Sequence, residues 1–67
     1  MCLSTVYTLK GNEKQEVCKN VASMTVEGDK LVFSDILGVP TAVVGKLEKI
    51  DLMENAIFVR QNGMYLP

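Results

Sequence analysis

The chain contains no histidine. That absence removes the Ser-His-Asp triad, the Cys-His nucleophile pair and every zinc or iron site built on imidazole. There is no glycine-rich phosphate loop and no dinucleotide fingerprint. The eight acidic residues are scattered over turns and strand ends, and no spacing pairs two carboxylates for hydrolysis. Seven basic residues against eight acidic ones leave a net charge of -1, so no field of one sign draws in nucleic acid or an anionic membrane. No apolar run approaches the roughly 18 residues of a membrane span. The start lacks the basic stretch and long apolar run of a secretory leader. These absences predict a cytoplasmic protein that is neither an enzyme nor membrane-bound.

Cysteine is scarce, with two residues, Cys2 and Cys18. The turn Lys10-Gly11-Asn12-Glu13-Lys14 places them on adjacent hairpin strands. If Leu9 faces Gln15, then Cys18 faces Val6, four residues from Cys2 or about 13 Å along a strand. That exceeds the roughly 7 Å Cα separation a disulfide tolerates. Both thiols are therefore expected to be reduced, in keeping with the cytoplasm.

The composition is that of a globular chain, 48% hydrophobic over 67 residues. The length predicts a single domain, residues 1–67, with 61–67 as a C-terminal tail. Such a chain buries only about 60% of its unfolded surface and is marginal alone. Without a disulfide, it needs a metal or a partner subunit.

Leu3 to Leu9, rich in β-branched and aromatic residues, predicts a first strand. Gln15 to Lys19 predicts a second, broken at Asn20, and Val21 to Val26 a third that alternates poorly. Glu27-Gly28-Asp29-Lys30 is the clearest hairpin turn. Leu31 to Leu37 follows, with Leu31 and Phe33 on one face and Val32 and Ile36 on the other, and Gly38-Val39-Pro40 ends it. Thr41 to Leu52 is long for one strand. Its apolar positions change parity between Val43, Leu47, Ile50 and Leu52, which requires a bulge or bend near Gly45 or between Lys46 and Lys49. A helix over Lys46 to Met53 is the competing assignment. Ala56 to Arg60 is the last strand. Five to seven short antiparallel strands with frequent turns predict a small all-β barrel.

Several side chains are candidates for chemistry and have plainer assignments. Asp35, within a strand pattern, is expected to cap the Gly38 turn rather than act as a buried acid. Cys18 is expected to pack as a small hydrophobe. Met24 and Met53 are expected in core or turn rather than as soft-metal ligands. Cys2 is different. Removal of Met1 would leave an α-amine and a thiol on one residue, able to close a five-membered chelate ring on a soft or borderline metal. One Cys2 supplies too few ligands for a site, whereas two chains meeting at their N-terminal strands would supply two thiolates and two amines. A planar nitrogen–sulfur set suits Ni(II) or Cu(II), and thiolate-rich sets suit Zn(II) or Cu(I).

The residues also carry a resemblance. Met1-Cys2-Leu3 leading into Val6-Tyr7, then Val26-Glu27-Gly28-Asp29-Lys30, Phe33-Ser34-Asp35-Ile36-Leu37-Gly38 and Leu47-Glu48-Lys49-Ile50-Asp51-Leu52 resemble the CooT-type small nickel-binding proteins. The similarity extends to about Val59. It implies an SH3-like or Sm-like barrel, a homodimer, and Ni(II) held through Cys2. It also implies a role in delivering nickel during maturation of carbon monoxide dehydrogenase, which would make a nickel enzyme the client.

Two other readings stand beside it. Relatives of this type are often labelled RNA-binding, and such a module would stack bases on Tyr7, Phe33, Phe58 or Tyr65 beside Lys10, Lys14, Lys30 and Arg60. The sequence pI near 5.2 argues against it. The third reading is a structural adaptor without a ligand.

Overall fold

The computed structural model describes residues 3–61. They form six strands: β1 (Ser4–Lys10), β2 (Glu13–Glu27), β3 (Lys30–Asp35), β4 (Pro40–Val44), β5 (Lys46–Asp51) and β6 (Ala56–Arg60). All six belong to one sheet, in the order β4-β3-β2-β1-β6-β5. The all-β, barrel-like expectation holds, and the alternative helix after Lys46 is a strand.

The connections shape the sheet. Two-residue turns at Gly11-Asn12 and Gly28-Asp29 join β1 to β2 and β2 to β3, with Lys10 opposite Glu13 and Glu27 opposite Lys30. Edge strands β4 and β5 lie at opposite ends of the strand order, yet only Gly45 separates them in the chain. A flat sheet would hold its two edges five strand spacings apart, roughly 24 Å. One residue cannot span that, so the sheet curls until its edges meet. No ladder joins β4 to β5, and the curl stays open along this seam.

Three expectations are corrected. The pairing is not wholly antiparallel, because β1 and β6 run parallel from Thr5–Ala56 to Leu9–Arg60. The strands are not all short, since β2 is one strand of 15 residues that passes through Asn20. Asn20 adopts a φ of 58° rather than ending the strand. Finally, Leu9 faces Lys14, not Gln15; a register shift after Tyr7 nevertheless sets Val6 opposite Cys18, as expected.

β2 departs from strand periodicity because of its bulges. Its register against β1 and β3 shifts between Glu16 and Cys18, between Cys18 and Val21, and between Val21 and Ser23. Each shift adds a residue and bends the strand. Its core-facing side chains accordingly fall three apart, at Cys18, Val21 and Met24. They join Val6, Leu31, Phe33, Val43, Ile57 and Val59 in the core, where Phe33 is the largest fully buried side chain. The parity change between Val43 and Ile50 has both predicted causes: the chain turns at Gly45, and β5 shifts register between Leu47 and Lys49.

Candidate metal site and the surfaces around it

Cys2 lies outside the described residues, as do Met1 and the tail beyond Gln61. The described structure nearest to it in the chain is the strand that follows. β1 begins at Ser4, opposite Val21, which faces Asp35 on β3. On the other side Thr5 pairs with Ala56, which faces Asp51 on β5. The row Asp35–Val21–Ser4/Thr5–Ala56–Asp51 therefore marks one end of the sheet. The β3–β4 and β5–β6 turns both lie beyond it, each about 10 Å from β1 at two strand spacings.

An aspartate shapes each turn. The Asp35 carboxylate accepts hydrogen bonds from the Leu37 and Val39 amides at 2.8 and 2.9 Å. The Asp35 carbonyl accepts one from Gly38 at 2.9 Å, so the capping role expected of Asp35 is what it performs. Asp51 accepts a bond from the Glu54 amide at 3.1 Å and lies 3.7 Å from the Lys49 ammonium. With both acids tied to their own turns, the apolar residues between them point outward. Leu37 is 84% exposed, Leu52 81% and Met53 91%, with Ile36 and Val39 also exposed. Met53 is a turn residue, and Met24 packs against the core.

Cys18 sits half-buried opposite Val6 against the core. Burial, and secondarily the negative charge of Asp35, push its thiol above the ordinary value. A thiol held protonated is a poor ligand, because the thiolate is the binding form. Among the described residues, no group of three or more cysteine or acidic side chains converges as a metal cage.

The aromatic residues divide sharply. Phe33 is core, and Tyr65 lies outside the described residues. Tyr7 and Phe58, side by side on β1 and β6, stack with centroids 5.4 Å apart. The Lys14 ammonium reaches over both rings, at 4.8 and 6.0 Å, and Lys49 over Phe58 at 5.9 Å. Among the described residues this pair is therefore the aromatic surface that lies beside basic groups. Sequence alone ranked all four aromatics alike, because which of them share a face depends on the β1–β6 pairing.

The opposite end of the sheet has a groove of about 460 Å³ along the seam, lined by Val26, Leu31, Val44, Leu47, Gly45 and Arg60 among others. Arg60 clamps it by a bidentate pair with Glu48, at 2.8 and 3.1 Å, and donates to the Gly11 carbonyl at 3.0 Å. Arg60 thereby lowers the Glu48 carboxyl below its ordinary value. No motif announced this groove, since its walls come from five strands.

Fold and surface together define a small, barrel-like all-β domain, and no helix among the described residues is long and apolar enough to cross a membrane. Comparison with known proteins narrows the class. The family model of the CO dehydrogenase accessory protein CooT matches residues 1–60, and the chain belongs to that family. It is similar to the uncharacterized protein MJ1551 of Methanocaldococcus jannaschii, 40% identical over 43 residues that make up 64% of this chain and 75% of that protein. Its fold matches the crystal structure of a protein assigned as CooT from Carboxydothermus hydrogenoformans, with a TM-score of 0.82. That match covers 91% of this chain and 98% of the other at 15% identity, which speaks to the fold alone.

Proposed function

We propose that this chain is a cytoplasmic, non-enzymatic nickel carrier that works as a homodimer, with one Ni(II) held between the Cys2 residues of two subunits. Its client would be a nickel enzyme, carbon monoxide dehydrogenase being the one the family's description names. The observation that carries this reading is the family match over residues 1–60, a span that includes Cys2.

The donor chemistry fits. After loss of Met1, each chain would offer one thiolate and one amine, and the Leu3 amide is a further nitrogen donor. Two chains together would supply the planar nitrogen–sulfur set that Ni(II) prefers over a tetrahedral zinc site. Cys18 packs half-buried against the core opposite Val6, with its thiol pushed up, and this reading gives it no place among the ligands. The two-chain requirement is supported by the apolar end of the sheet. Leu37, Val39, Leu52 and Met53 flank the start of β1 on both sides. An isologous contact through this end buries the same apolar patch twice and draws the two N-termini together.

The test is a Ni(II) titration of the untagged chain with its N-terminus processed, since a tag there would destroy the site. It should give a thiolate-to-nickel charge-transfer band saturating at about one ion per two chains. Cys2→Ala should abolish the band and Cys18→Ala should leave it. Loss of the band in the Cys18 variant alone would sink the assignment. The nucleic-acid reading keeps one feature, the Tyr7–Phe58 stack with Lys14 and Lys49 beside it, but Phe33 is inside and a net charge of -1 supplies no field for a polyanion.

A further inference from the structure

The outer face of the sheet serves neither the core nor the two-chain contact. Along β1, Tyr7 and Leu9 alternate with the buried Val6 and Thr8, and along β6, Phe58 and Arg60 alternate with the buried Ile57 and Val59. The first residue of each such pair therefore points away from the core. Strand pairing lays two rows across this face. One runs Glu16–Tyr7–Phe58–Lys49 and the next Lys14–Leu9–Arg60–Lys46. The stacked rings of Tyr7 and Phe58 lie at the centre, half-buried. Two of the chain's four aromatic residues are thus placed on a surface, and partly open aromatics mark the centres of protein interfaces.

The charges around the rings do not balance. The acids of this face are matched within the chain: Glu16 lies 3.6 Å from Lys19, Glu48 2.8 Å from Arg60 and Asp51 3.7 Å from Lys49. Lys14 and Lys46, both exposed, make no ion pair among the described residues. The Lys14 ammonium is held 4.8 Å from the Tyr7 ring centroid by cation–π attraction. Lys46 ends the same row, three strand spacings away or roughly 14 Å. The matched acids between them break up the positive field, so the surface suits two separate carboxylates better than a continuous polyanion.

The spacing fits an extended peptide. In such a peptide, residues i, i+2 and i+4 point to one side, and the outer two are about 13 Å apart. We propose that this face docks an extended acidic segment of a partner protein. Carboxylates at i and i+4 meet Lys14 and Lys46, and an apolar side chain at i+2 packs on Leu9 and the rings beside it. Each exposed ion pair is weak alone, so selectivity comes from the distance between the two and the apolar contact that joins them. The inference uses neither Cys2 nor the apolar end of the sheet, and its failure would leave the nickel reading untouched.

The test is an NMR titration of the full chain, nitrogen-15-labelled and metal-free, with the blocked peptide Glu-Ser-Phe-Ser-Glu. Saturable shifts should centre on the amides of Lys14, Tyr7, Phe58 and Lys46. Lys14→Gln with Lys46→Gln should weaken binding roughly five- to thirtyfold, the effect of losing two exposed ion pairs. Either single variant should show part of that loss should the double variant misfold. The isomeric peptide Ser-Glu-Phe-Glu-Ser carries the same charge with its acids only about 7 Å apart, and it should bind several-fold more weakly. Shifts centred elsewhere, no saturation at several millimolar peptide, or equal binding of the two acidic peptides would overturn the proposal. Tighter binding of an oligouridylate than of the peptide at the same amides would also overturn it, because the face would then read a phosphate backbone.

Discussion

The two ends of the curled sheet carry apolar surface for different reasons. At the N-terminal end, Asp35 and Asp51 spend their carboxylates on backbone amides of their own turns and leave Leu37, Val39, Leu52 and Met53 facing water. At the other end, the surface is a concave seam created because one residue, Gly45, has to join the two edge strands. A convex patch whose acids are tied up within its own turns suits a flat, self-complementary contact. The difference separates an apolar end that stands out into water from one that is recessed.

The strongest way to break that comparison is to charge the convex end. Leu37→Lys combined with Met53→Lys should leave the fold intact, because both side chains are almost fully exposed. Burying a leucine-sized side chain is worth about 1.5–3 kcal/mol, and two-fold symmetry counts each lost contact twice. The dimer dissociation constant should therefore rise roughly 10⁴-fold or more, read by analytical ultracentrifugation. A variant that remains as tightly dimeric as the parent would move the association surface elsewhere.

The second test strains the seam itself. A Cβ built on Gly45 would lie 2.7 Å from the Arg60 carbonyl oxygen and 2.8 Å from a Val59 methyl carbon. The first of these atoms is backbone and cannot swing aside. Gly45→Ala should therefore cost about 1–3 kcal/mol, as overpacking does. At about 4–8 °C per kcal/mol for a domain of this size, thermal unfolding should shift down by roughly 5–20 °C. Ni(II) stoichiometry at temperatures where the variant is folded should be unchanged, since the change lies at the far end of β1. An unshifted melting curve would mean that the seam yields, and that β4 and β5 are not held together there.

These two regions were not equally legible in the sequence. Asp35 as a turn cap could be read, because an aspartate two to four residues before a glycine turn has a local hydrogen-bonding mechanism. The turns at Gly11 and Gly28 and the last strand could be read for the same local reason. The seam could not. It depends on β1 and β6 pairing in parallel across more than 50 residues of chain, and neither strand's pattern reveals its neighbour. β2 hid its inward face because three register shifts convert a period of two into the spacing Cys18, Val21, Met24. Cys2 stood out because the chain lacks histidine, but its setting was legible only through the strand that follows it.

The smallest expected effect concerns the clamp beside the groove. The Glu48 carboxylate accepts two hydrogen bonds from Arg60, and both groups are exposed. Arg60 holds the Glu48 pKa below its ordinary value of 4.5, chiefly through that hydrogen bond. A carboxyl with a depressed folded-state pKa binds its proton less readily when folded than when unfolded. Its contribution to stability is therefore present above the unfolded value and lost as pH falls through the folded one. The melting temperature of the parent should exceed that of Glu48→Gln slightly at pH 6 to 7, and the gap should shrink below about pH 4.5. Added salt should narrow the gap at neutral pH, as for other exposed pairs. Because Arg60 also donates to the Gly11 carbonyl and lines the groove, Glu48→Gln should loosen one wall without filling it. A gap that stays the same on acidification would show that the pair adds nothing through its charge, and Arg60 would then hold this rim through the Gly11 carbonyl alone.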